Sequence, residues 1–382
     1  MNNNERISQL KAFLRIDPGN QSLACDLLDV YIQVGAFDEA ILCIAELEDS
    51  VRNAAGIRFR NAQIAMASGR YSDAIELLAK LISDGHESVA LWHDLAFAQL
   101  CNGKYQNAAD TLMEAKSKFG SQIDLLITSA RVHLFLANFD GALQDIETAL
   151  TIDNHHPVAM GLKALILLDM DNLSAAAVIA QECLHVHPNQ HEALLTEGTL
   201  ALWQQRELDA QVSFEKALIG FPNSGRALSG LGQVYMLKND IPKARALLEN
   251  AVSAMPDHIG TWHALAWTQL LSTDVGAAEA SYEKAFALDR NFADSHGGIA
   301  LIHVLNGRSE LAERSVKQAL RLNPDCATAI YAKSLLLSDA GQYDESDALI
   351  NRLMQSNPAM QQVGSKQFAV NLRNRIQPSK SG

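Results

Sequence analysis

The sequence predicts an all-α protein, a right-handed α-solenoid superhelix of tandem helix-turn-helix units. Three sets of residues predict it, each recurring every 34 positions. Positions 40, 74, 108, 142, 176, 210, 244, 278, 312 and 346 carry nine alanines and one serine. A second set, through Ala62, Ala96, Ala130, Gly198, Gly232 and Ala300, is small at nine of its ten places. Small residues belong where two helices approach closely, since a bulky side chain would hold the backbones apart. The third set is proline: 18, 188, 222, 256, 324 and 358 share one phase, so six of the nine prolines mark helix ends. Inter-helix turns are marked by Gly35, Gly69, Gly103, Gly307 and Gly341.

Residues 5–17 match the second helix of a unit and run to Pro18, so 1–20 is read as an N-terminal capping helix. Ten 34-residue units then tile 21–360 in one continuous array without a slip in register. The first, second and tenth depart most: Leu47, Leu81 and Leu353 replace a usual alanine, and Arg52 and His86 replace the proline. Terminal units of a stacked array have one face without a neighbour, so these ends are expected to fray first. Over 361–382, Phe368, Leu372 and Ile376 recur every four residues, predicting a C-terminal solvating helix followed by a disordered tail.

The clearest unit is 225–258, GRALSGLGQVYMLKNDIPKARALLENAVSAMPDH, with Leu231, Gly232, Tyr235, Ala244, Ala251 and Pro256 at fixed offsets. Its pattern resembles the tetratricopeptide repeat, and the resemblance extends over 21–360. It implies a non-catalytic scaffold binding peptide or helical segments of partner proteins. A peptide- or ligand-sensing regulatory subunit, or an accessory subunit of an assembly or secretion machine, is the alternative that the same resemblance leaves open.

In that family the second, fifth, sixth, ninth, twelfth and thirteenth positions of each first helix face a concave groove. Carried onto this chain, the resemblance names Phe59, His93, Phe97, Arg131, Phe135, Trp203, Arg226, Gln233, His263, Trp267 and Tyr331 as groove residues. Leu165, Leu301 and Leu335 add apolar surface there, and Gly161, Ser229, Gly230, Gly297 and Gly298 are read as leaving room for a bound backbone. The unit at 225–258 is accordingly read as a gap between the Trp203 and Trp267 anchors. No lysine stands at a fifth position and no asparagine at a ninth, so the family's clamp for chaperone C-termini is missing. The asparagine ladder of its sugar-transferase members is missing too.

Composition narrows the classes further. At 48% apolar and 20% charged, the chain reads as a folded protein, and no apolar run approaches the roughly 20 residues of a membrane span. No membrane insertion is expected, and the opening MNNNERISQL lacks the pattern of a secretory signal. A net charge of −13 argues against a nucleic-acid partner, because phosphate binding needs clustered Lys and Arg. The five cysteines form no CxxC pair and are read as small buried hydrophobes in a reducing, cytoplasmic setting.

No catalytic residue, cofactor or metal site is expected. Gly230-Leu-Gly232 lies inside a helical run and opens no phosphate loop, and His191-Glu192 lacks the second histidine of a zinc protease. His155, His156, His185, His187 and His191 cluster in sequence near two loops, but their spacing fits no zinc pattern. The charge is also uneven along the chain. The first unit carries a net −6 and 361–382 a net +4, which makes weak head-to-tail self-association one further expectation.

Overall fold

The computed structural model describes residues 2–355, and the solvating helix and tail expected over 361–382 lie outside the described residues. The chain divides into two compact units, residues 1–186 and residues 187 onward. In the first, α1 (Asn3–Ile16) precedes five helix pairs. These are α2 (Gln21–Val34) with α3 (Phe37–Glu46) and a short α4 (Asp49–Arg52), then α5 (Ala55–Ala67) with α6 (Tyr71–Ser83). There follow α7 (Val89–Cys101) with α8 (Tyr105–Phe119), α9 (Ile123–Phe135) with α10 (Phe139–Ile152), and α11 (Pro157–Asp169) with α12 (Leu173–Val186).

The second unit stacks α13 (His191–Trp203) with α14 (Glu207–Gly220), α15 (Gly225–Leu237) with α16 (Ile241–Ala254), and α17 (Ile259–Leu271) with α18 (Val275–Leu288). It ends on α19 (Ala293–Leu305) with α20 (Ser309–Leu322) and α21 (Ala327–Asp339) with α22 (Tyr343–Gln355). No strand occurs among the described residues. First helices begin at 21, 55, 89 and so on to 327, and second helices at 37, 71, 105 and so on to 343, each 34 residues after the last.

The turn inside each pair is the same throughout. Its αL residue is Gly35, Gly69, Gly103, Gly307 or Gly341 in five pairs, and Ala137, Asp171, Gln205, Asn239 or Thr273 in the other five, with φ between 54° and 78°. The next backbone N–H reaches five residues back, as from Arg206 N to Ala201 O at 2.8 Å, and the αL residue's own N–H bonds three back, as from Gln205 N to Leu202 O at 3.0 Å. These bonds satisfy the carbonyls that the end of a helix leaves open. First helices are capped at the other end by Asn20, Ser88, His156, Gln190 and His258, each accepting a backbone N–H three residues on.

The small residues do what their spacing requires: all nine alanines of the first set are 0% exposed, and Ser346 is buried with them. Where the second helix carries a large ring instead of Leu or Ile at its eighth position, the facing first helices lose their side chains. Phe214 of α14 fills the space beside Gly198 and Gly230, and Tyr282 of α18 the space beside Gly298. A Cβ added at Gly198 would lie 2.8 Å from the Phe214 ring, and one at Gly230 would overlap that ring outright. Both rings are buried to 1% or less, which stabilises each site by about 1.5–3 kcal/mol relative to exposure.

One departure from the regular pairing lies in the first pair. Its second helix stops at Glu46, the chain is extended at Leu47 (φ −67°, ψ 148°), and α4 completes the unit. Glu46, Glu48 and Asp49 would crowd the negative end of a longer helix, whereas the break puts Glu48 and Asp49 at the favourable N-terminal end of α4. Arg52, in the proline's place, turns back and donates to Ala45 O at 2.9 Å and Leu47 O at 2.6 Å.

Candidate functional site

First helices hold the residues that the sequence singles out, and the structure sorts them by depth. In the unit spanning 1–186, Phe59 is half-buried against the cluster of Ala62, Leu78 and Leu91. His93 is half-buried and bridges two repeats, its Nδ1 3.1 Å from Asp94 and its Nε2 3.1 Å from Thr128 Oγ1, with its ring stacked along Phe97 at 6.2 Å. Phe97 and Arg131 are half-buried as well. Phe135, at the thirteenth position of α9, is 62% exposed and lies flat on Tyr105, with ring centroids 4.7 Å apart.

Polar pairs join successive first helices across this face. Arg60 donates through Nε and Nη2 to both carboxylate oxygens of Asp29, at 2.7 and 2.6 Å, and this bond holds the guanidinium pKa above its usual value. Gln63 donates to Asp94 at 3.2 Å. A ninth-position side chain thus meets the sixth-position side chain of the following repeat in both cases. Such pairs fix how one helix sits on the next, and they leave these charges partly satisfied rather than open to a ligand.

In the unit from 187 onward, Trp203 ends α13 and is 56% exposed, Arg226 and Gln233 are exposed on α15, and Leu237, one turn beyond Gln233, is 54% exposed. Trp267 is half-buried against the cluster of Ala266, Tyr282 and Leu301. His263 is half-buried between the edges of Tyr282 and Phe292, each 5.4 Å away, with Nε2 3.0 Å from Ser295 Oγ. Burial pushes its pKa down to about 4 against the opposing pull of Asp294, so the ring is neutral at pH 7.

Several expectations change. Tyr331 is 2% exposed inside the core cluster, and Leu165, Leu301 and Leu335 are buried, so none of them is groove surface. Ser229 and Gly230 are buried too: the Phe214 ring fills the room beside Gly230, and Ser229 Oγ accepts from Thr261 at 3.2 Å. The unit at 225–258 is therefore a packed repeat and not a gap. At Gly297 the room is taken by the backbone N of Ala329 and Sγ of Cys326, which a Cβ would meet at 2.9 and 3.0 Å. Of the cysteines, Cys183 and Cys326 are buried, Cys25 and Cys43 half-buried, and Cys101 exposed, so the small-hydrophobe reading fails at Cys101.

Leu237 is the surface residue that the sequence reading passed over. The signal was available, since Leu237 shares the thirteenth-position phase of Phe135 and Trp203. Among the histidines, His156 caps α11 and His191 packs on Phe221 at 4.4 Å, with Nε2 3.0 Å from Ser224 Oγ. No group of three His, Cys, Asp or Glu among the described residues is placed to hold a metal ion.

Models of the tetratricopeptide repeat match residues 25–90, 59–120, 201–267 and 298–360, together more than half of the chain. No curated protein sequence matches it. Similar solved structures include a monomeric mutant of IFIT1 with m7Gppp-AAAA, at 17% identity over 94% of this chain and 90% of that one, with a TM-score of 0.57. The human IFIT1 dimer with m7Gppp-AAAA matches at 16% identity over 88% and 90%, with a TM-score of 0.52. The APC/C hetero-tetramer Cut9–Hcn1 matches at 13% identity over 98% and 90%, also at 0.52. At these identities the likeness concerns the fold. The 34-residue register, the buried alanine seam and the matching family models together place this chain in the tetratricopeptide repeat family, whose repeats generally mediate protein–protein contacts without catalysis.

Proposed function

We propose that the chain is a non-catalytic scaffold that takes extended or helical segments of partner proteins on the outward positions of its first helices. The observation that carries this reading is the exposure of Trp203. A tryptophan more than half open to water, with Leu237 at the same position of the next first helix and the polar Gln233 one turn before it, has the make-up of an interface anchor with a polar rim. Phe135 on Tyr105 offers an aromatic platform of the same kind in the other unit. Both thirteenth-position rings end a first helix, where truncation removes contact surface and little packing.

The reading includes a reducing, cytoplasmic setting. Burial pushes the thiols of Cys25 and Cys43 up, and that of Cys326 to about 12, so these three are protonated at pH 7. No helix among the described residues is long and apolar enough to cross a membrane.

Quantitative co-purification tests the scaffold reading. Wild-type chain is compared with Trp203→Ala, Phe135→Ala and a control, Ile219→Ala, on the outward face of α14 where the side chain is 82% exposed. A partner whose recovery falls with either aromatic variant and holds with the control supports the proposal. Equal recovery of every partner by all four proteins overturns it.

A further inference from the structure

The second helices are built alike at three positions. Their fourth, eighth and eleventh places, Ala244, Leu248 and Ala251 in α16, are buried in all ten pairs, where they pack on the first helix of their own pair and, as Phe214 does beside Gly230, on that of the following pair. α1 begins at residue 3, 34 residues before α3, and so carries Arg6, Leu10 and Phe13 at those same places. Of these, only Leu10 packs on a described cluster, the core of the first repeat. Arg6 is exposed, Leu10 half-exposed and Phe13 53% exposed, and α1 has no buried residue at all.

We propose that this open seam is a docking site for a second copy of the chain, occupied by the segment that begins at its residue 361. Two independent observations select that occupant. The first is register: residue 361 lies 34 beyond Ala327, where α21 begins, on the phase at which every first helix starts. Val363, Phe368, Val370 and Leu372 then fall on the third, eighth, tenth and twelfth places, which the first helices bury wholly or in part. Phe368 is the one departure, since the eighth place is otherwise small in every repeat but the first, where it is Leu28.

The second observation is charge. The segment 361–382 carries Lys366, Arg373, Arg375 and Lys380 and no acid, for +4, while the repeat that adjoins α1 carries −6. Within the stack a sixth-position side chain meets the ninth position of the preceding repeat, as Arg60 meets Asp29 and Asp94 meets Gln63. Asp26 is the sixth-position residue of the first repeat, and it stands exposed. The ninth position of the segment is Ala369, so the complementarity lies between the basic segment as a whole and the acidic first repeat, not in a single pair at Asp26. The contact is heterologous, head to tail, so it propagates to a ring where the rotation closes and to a filament where it does not.

Sedimentation velocity on the full chain tests this, across a concentration series at low and high salt, with Phe13→Glu and Leu372→Glu as variants and circular dichroism to confirm that each stays folded. The wild type is expected to exceed its 41.6 kDa chain mass as concentration rises, and to return toward it at high salt. Each variant alone is expected to weaken association more than about tenfold. Mixed in equal amounts, the two variants retain one intact seam and one intact segment between them, so they should form a two-chain particle and nothing larger. A mass of 41.6 kDa at every concentration overturns the proposal. So does a wild type that associates while the variants match it, or a mixture that stays at one chain.

Discussion

Ten residues spaced 34 apart hold the same left-handed turn, and five of them are not glycine. The left-handed conformation costs a residue with a side chain about 1–2 kcal/mol, and the β-branched Thr273 at φ 62° bears most of that strain. Thr273→Gly is expected to stabilise the protein by about 0.5–1 kcal/mol, read as a higher urea midpoint at unchanged slope. His263 gives the opposite kind of residue-scale effect. Its folded pKa of about 4 lies below the ordinary 6.5, so the unfolded chain binds the extra proton between those values. The contribution is complete above pH 6.5 and is lost as pH falls toward 4, amounting to about 2 kcal/mol by pH 5. Urea titrations at pH 8 and pH 5 should show that loss, and His263→Gln should flatten it.

At the scale of helices, the pairing of Phe214 with Gly198 and Gly230 makes a strict claim about packing. Gly230→Ala should destabilise the second unit by about 1–3 kcal/mol through overpacking. Phe214→Leu in the same chain should recover more than half of that cost, because the smaller side chain vacates the space. A double variant as unstable as the sum of the singles would show that the ring and the glycine do not act together. In the first unit, Arg52 closes the broken end of α3 by donating to Ala45 O and Leu47 O. Arg52→Ala should cost about 1 kcal/mol and speed hydrogen exchange in α3 and α4 before the rest of that unit.

These elements also show where a sequence speaks and where it falls silent. The helix starts every 34 residues were legible because alanine, glycine and proline report directly on close approach and chain termination. The left-handed turn was legible at five pairs and hidden at the five where Ala, Asp, Gln, Asn or Thr adopts it under the constraint of packed helices. That Phe214 and Tyr282 fill the space beside Gly230 and Gly298 could have been read by lining up the eighth positions of the second helices. The break after Glu46 could have been read from its acidic run. Depth across the first helices could not: Tyr331 at a fifth position sinks into the core, Trp267 at a ninth is half-covered, and Trp203 at a thirteenth stands out. Sequence phase fixes the direction of a side chain around its helix, and neighbouring repeats decide how far it is covered.

At the scale of the whole molecule, 20 of the 22 helices among the described residues are ten copies of one pair, and the variation between repeats is what can distinguish partners. The alanine seam and the αL turns recur in every pair, so they set the frame and carry no specificity. Exposed thirteenth-position residues differ from repeat to repeat, and large rings stand there only at Phe135 and Trp203. Interface anchors of this type usually carry 2 kcal/mol or more of binding energy. The most direct measurement is therefore the affinity of a co-purified partner for the wild type, Trp203→Ala and Ile219→Ala, by titration calorimetry. The scaffold account predicts that Trp203→Ala weakens binding about 30-fold or more at unchanged thermal stability, with Ile219→Ala close to wild type. Equal affinity for wild type and Trp203→Ala, or a loss confined to Ile219→Ala, would contradict it.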